Sequence, residues 1–117
     1  MSLVKIKPLS RKLIDKFGPL GVVASRYLLA GLHVEVNHPT RYGPIHVVAI
    51  GNGQRIAVEV FSEPRDVPRD VVERIALKAK LIKSKPVLAL YGDGPKLGEE
   101  VRKLCSDLGV KVKRVRA

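Results

Sequence analysis

Glu59 and His46 are the two side chains of this 117-residue chain whose types and spacing most invite chemistry. Each stands in an apolar run, Ile45 to Ile50 and Arg55 to Phe61, and Gly51-Asn52-Gly53-Gln54 separates the two. Glycine and asparagine accept a positive φ at low cost, so this spacer predicts a tight turn and an antiparallel hairpin. On adjacent strands the imidazole and the carboxylate can hydrogen-bond, and a carboxylate raises a histidine's affinity for its proton. The plainer reading is a structural pair under a basic surface. One carboxylate beside one imidazole is a poor Mg²⁺ site, because Mg²⁺ wants several oxygen ligands. Imidazole suits zinc or another transition metal. However, His33, His38 and His46 lack zinc-site spacing, and the single cysteine adds nothing. No metal ligand is expected.

The elements that must position these groups follow from periodicity. Ser10 can cap a short helix over 10–17, stopped at Gly18-Pro19. Pro19 suits the first turn of a second helix over 20–30, apolar on nearly every side and therefore buried. Strands are expected at 33–36, 45–50 and 55–61. A helix over 68–83, a buried strand over 87–91, a helix over 96–108 and a final strand over 110–115 complete the chain. Strands separated by helices should lie parallel through right-handed crossovers. The fold class is therefore α/β: a mixed sheet, with an antiparallel hairpin and parallel crossover strands, flanked by helices. One domain is expected over 1–117, with 1–18 as an N-terminal extension. Val71, Val72, Ile75, Ala76, Ala79 and Ile82 form the core stripe of helix 68–83. Leu77 and Leu81 point elsewhere, one turn apart, which suggests a partner interface, most simply that of a homodimer. Cys105 falls on the apolar face of helix 96–108 and is expected in the core.

Composition speaks to partners. Twenty-two Lys and Arg against eleven Asp and Glu leave a net charge of +11. Such a chain favours a polyanion, and nucleic acid most of all, through phosphate neutralisation and counterion release. The charge is spread along the chain and forms no basic tail. Arg41, Arg55, Lys78, Lys80, Lys83 and Lys85 are the candidate nucleic-acid contacts, and Tyr42 beside Arg41 can stack on a base. The absence of Trp and scarcity of Asn and Gln suit a heat-adapted protein. No apolar run reaches membrane-spanning length, and the first residues lack a secretory signal pattern, so no membrane role and a cytoplasmic location are expected. Gly92-Asp93-Gly94-Pro95-Lys96-Leu97-Gly98 sits where a phosphate loop would, but its spacing is wrong and Asp93 would repel an anion. It reads as a strand-to-helix turn.

The order of elements, together with Gly21-Val-Val-Ala-Ser25-Arg26-Tyr-Leu28, Ile45 to Ile50 and Ile56-Ala57-Val58-Glu59-Val60-Phe61, resembles the PD-(D/E)XK nuclease superfamily. The likeness is closest to archaeal Holliday-junction resolvases, over about residues 19–91. The resemblance implies a restriction-endonuclease-like fold and a metal-dependent site. It also marks what is missing. The family's helix glutamate falls near Ser25, its strand aspartate at His46, and its Glu-x-Lys becomes Glu59-Val60-Phe61. A lysine from the next helix, Lys78 or Lys80, can replace the lost one, and Glu63, Asp66 and Asp70, close in sequence to the end of the third strand, are the candidate replacement carboxylates. The expectation is a nucleic-acid-binding protein on a nuclease-like scaffold, without hydrolytic activity, cofactor or sequence preference. The alternatives are an endonuclease with a rearranged site using Mg²⁺ or Mn²⁺, and a homodimeric interaction module.

Overall fold

The computed structural model describes residues 3–117, with side chains from Pro8 onward; Met1 and Ser2, at the start of the expected 1–18 extension, lie outside the described residues. The elements run α1 (Leu3–Phe17), α2 (Pro19–Leu29), β1 (His33–His38), β2 (Ile45–Gly51), β3 (Gln54–Phe61), α3 (Arg69–Leu81), β4 (Lys85–Tyr91), α4 (Glu99–Leu108) and β5 (Lys111–Val115). The predicted order of helices and strands is the observed one. The sheet runs β1-β2-β3-β4-β5, antiparallel across the first three strands and parallel across the last three. The β2–β3 turn has Asn52 at φ 52° and Gly53 at φ 74°, as the spacer predicted.

Several boundaries differ from expectation: β1 runs on to His38, α3 ends at Leu81 and α4 begins only at Glu99. The short helix over 10–17 is in fact the C-terminal part of a longer helix that runs on through Pro8. β4 begins at Lys85 and takes in Pro86, near the strand's start, where a missing N–H is tolerated.

The sheet is the middle of three layers. Ile45, Val48, Ala57, Phe61, Leu88 and Leu90 pack with Val72, Ile75 and Ala79 of α3 and Cys105 of α4. Val47, Val58, Val60, Val87 and Ala89 face Val23 and Ala24 of α2. Cys105 is buried in the first of these layers, as predicted, and burial pushes its thiol pKa up. α1 lies against α2, and Gly21 makes their approach possible. A Cβ at residue 21 would stand 2.0 Å from the Leu13 carbonyl oxygen.

The strand period decides where Glu59 points. Ala57 and Phe61 face the α3 layer, so Glu59 between them shares that face and enters the molecule beneath α3.

Candidate functional site

Glu59 is nearly buried, with 16% of its side chain exposed. Its Oε1 is shielded from solvent and has no hydrogen-bond partner. The nearest charge comes from α3: Lys78 reaches inward, its side chain 5% exposed, and places Nζ 3.8 Å from Oε1. That is ion-pair distance but too long for a hydrogen bond. Nζ instead donates to the Pro44 carbonyl at 2.8 Å. The ammonium thus ties α3, β3 and the β1–β2 loop together. Gly43, at φ 103°, lets the loop close over it; a Cβ there would lie 3.7 Å from Nζ.

His46 does something different from what its neighbour suggests. Pairing of β2 with β3 ends at Val47 and Val58, one step short of His46 and Glu59. There the His46 Nδ1 accepts the Val60 backbone N–H at 2.9 Å, in place of a main-chain carbonyl. An Nδ1 that accepts carries no proton, so the neutral ring holds its hydrogen on Nε2. The 3.5 Å approach of Nδ1 to Glu59 Oε2 is therefore proximity without a proton between them. Burial pushes the Glu59 carboxyl pKa above its ordinary value of 4.5, against the opposing pull of His46, Lys78 and Arg74. Desolvation outweighs them.

No family model matches this chain, and no curated protein does either. Solved structures do match. A repair endonuclease from Pyrococcus abyssi superposes with a TM-score of 0.62 at 17% identity, over 94% of this chain and 46% of its own. Pyrococcus furiosus SfsA in complex with Ca²⁺ gives 0.60 at 12% identity, over 92% and 57%. EndoMS, solved with double-stranded DNA, gives 0.58 at 11% identity, over 99% and 46%. The chain shares its fold, a mixed five-stranded sheet flanked by helices, with these structures. The chain spans about half the length of these structures.

On this nuclease-like fold the sequence-predicted residues part company. Glu59, His46 and Lys78 converge. Lys78 was expected among the surface cations, and its burial removes it from them; it is the inward lysine that the rearranged-site alternative required. Ser25, on α2, is buried and donates to the Ser10 carbonyl, on the sheet face away from Glu59. The hoped-for carboxylates are engaged elsewhere: Glu63 pairs with Arg65, and Asp70 with Arg74. Asp66 lies in the exposed stretch before α3, which bridges to Lys96. Among the described residues no group of three His, Cys, Asp or Glu gathers to hold a metal.

The exposed cations divide by location. Arg55 and Lys83 line one cleft beside the hairpin turn, and the Arg55 guanidinium also caps the Ile82 carbonyl at the end of α3. Lys80 faces a groove between α3 and α4. Lys85 is exposed at the start of β4. Arg41 lies over the Tyr42 ring, 5.2 Å from its centroid, in a shallow cleft shared with Asp70, Arg74 and Leu77. The Gly92–Gly98 turn is filled by its own contacts. The Gly92 N–H goes to Val115, the Lys96 N–H to Arg65, and Asp93 pairs with Arg116 at 2.7 Å.

Sequence reading missed two parts of the site. Arg74 lies one turn before Lys78 on α3, a spacing that was available to find it. The Pro44 carbonyl is a backbone group, and no residue pattern announces it.

Proposed function

We propose that this chain binds nucleic acid without reading its sequence, on a nuclease-like scaffold, and does not hydrolyse it. The observation that carries the second half is Lys78. The site offers a carboxylate, Glu59, and a carbonyl, Pro44; a buried ammonium is hydrogen-bonded to the carbonyl and stands 3.8 Å from the carboxylate, where a cation would otherwise sit. Mg²⁺ demands near-octahedral oxygen coordination. One carboxylate bound to a lysine, beside an imidazole whose Nδ1 serves the backbone, does not fit that ion. No metal-dependent step is assigned to it.

Support for the first half comes from the +11 charge and from the company the fold keeps. A repair endonuclease and a protein solved with double-stranded DNA share it. Arg41, Arg55, Lys83 and Lys85 are exposed and would meet phosphates, which position a protein without conveying sequence. A cytoplasmic location goes with this reading, and no described helix is long and apolar enough to cross a membrane. The rearranged endonuclease has one observation in its favour: Lys78 does reach Glu59 from the neighbouring helix. That reading needs Mg²⁺ or Mn²⁺ and carboxylates that do not gather.

Binding to duplex, single-stranded and branched DNA, and to duplex RNA, measured against salt tests the first half. A steep fall of log K with log salt is expected, and no binding at low salt refutes it. Labelled DNA incubated with Mg²⁺ or Mn²⁺ should stay intact. Cleavage that disappears in Glu59→Ala would establish the endonuclease instead.

A further inference from the structure

Exposed large apolar side chains are scattered over α1, α2, the β1–β2 loop and the β2 end, but three lie on α3 and the end of α4. Leu77 and Leu81 on α3 are 44% and 39% exposed, and Leu108 at the end of α4 is 42% exposed. Leu77 and Leu108 line a groove of about 540 Å³ between the two helices, floored by Ala76, Ala79 and Pro86. Leu81 follows Leu77 by one turn on the same helix face. Grouped leucines on an open surface mark a contact site.

The charges around the groove say what covers it. Its lining carries two carboxylates, Glu73 and Asp107, against one ammonium, Lys80. In a chain of net charge +11 this patch is locally not positive. A phosphate backbone gains nothing there, whereas a second copy, repelled by most of the surface, meets least repulsion. Glu73 is paired with Arg69 at 3.7 Å. Lys80 and Asp107 form no ion pair among the described residues. One free cation and one free anion flanking an apolar centre is a self-complementary pattern. A two-fold axis makes each such contact twice, since if residue i meets j then j meets i.

We infer that the α3–α4 groove is the interface of a two-fold homodimer, with Leu77, Leu81 and Leu108 at its centre and Lys80 of each copy paired with Asp107 of the other. Lys80 then belongs to this interface and not to the nucleic-acid surface. The inference does not depend on nucleic-acid binding, because it is read in the protein alone.

Sedimentation of the full chain at low salt, from micromolar to hundreds of micromolar, is the test. Twice the 12.9 kDa chain mass is expected. Leu77→Asp should give a monomer with unchanged circular dichroism, and Leu108→Asp provides the same reading should Leu77→Asp fail to fold. Lys80→Asp and Asp107→Lys should each weaken the dimer about tenfold or more, and the two together should restore it. A wild-type monomer at the highest concentration overturns the inference. So does a dimer that survives both leucine changes, a double reversal no tighter than the single ones, or DNA-induced amide protection centred on Lys80 and Leu108.

Discussion

Lys78 and Lys83 stand five residues apart and serve opposite ends of the same sheet face. At the Glu59 end the cation is buried, faces a carboxylate and holds a loop carbonyl. At the hairpin end Lys83 is exposed beside Arg55, in a cleft with no carboxylate in its lining. The first arrangement uses charge to hold elements together and keeps the ammonium away from any surface partner. The second leaves charge free for a partner. Basic composition alone does not distinguish the two; burial does.

The largest effect that would break this comparison is on stability. Lys78→Ala leaves a nearly buried carboxylate uncompensated and should cost about 3 kcal/mol by urea unfolding at neutral pH, less in acid. Lys83→Ala should stay within about 0.5 kcal/mol of wild type. Equal losses would erase the distinction. Next in size, Lys78→Met combined with Glu59→Gln should recover most of the loss, to within about 1 kcal/mol of wild type, because neither member is then left charged and alone. A double variant as unstable as Lys78→Ala would show that the hydrogen bond to the Pro44 carbonyl, and not the facing charges, is what Lys78 contributes.

A smaller effect lies in the pH dependence. Burial raises the folded Glu59 pKa above 4.5, so the folded chain binds that proton more tightly than the unfolded one. The stability it contributes is complete below 4.5 and is lost as pH climbs through the raised value. The advantage of wild type over Glu59→Gln in urea midpoint should therefore shrink from acid to neutral pH. An advantage that grows would mean the surrounding cations, not burial, govern the carboxyl. The smallest effect is on binding. Arg55→Ala and Lys83→Ala should each lower the salt slope for duplex DNA by about 0.9, as one phosphate contact does, while Lys78→Met should leave it unchanged.

Much of this was legible in the residues, for physical reasons. Alternation and turn chemistry at Gly51 to Gln54 fixed the hairpin, and apolar helical spacing fixed the burial of Cys105. Ser10 misled, since it reads as an N-cap, yet the helix begins upstream of it and continues through Pro8. At the site, Glu59 could be recognised because an acid in an otherwise apolar strand is conspicuous. Lys78 was ambiguous, although it follows Val71 by seven residues and Ile75 by three, the spacing of the core stripe itself. A lysine on such a stripe reads as solvated until tertiary structure provides a carboxylate below it. The Pro44 carbonyl and the break in strand pairing had no signature at all, because both are properties of backbone in three dimensions.

The imidazole that stands in for a main-chain oxygen has a consequence for which sequences this site can reach. Position 46 must keep an acceptor aimed at the Val60 amide, or that amide loses its partner. Leucine or valine cannot provide one, whereas asparagine and aspartate can. A lineage drifting at this position is confined to a few polar residues, and the acidic one among them is a replacement that leaves the amide served.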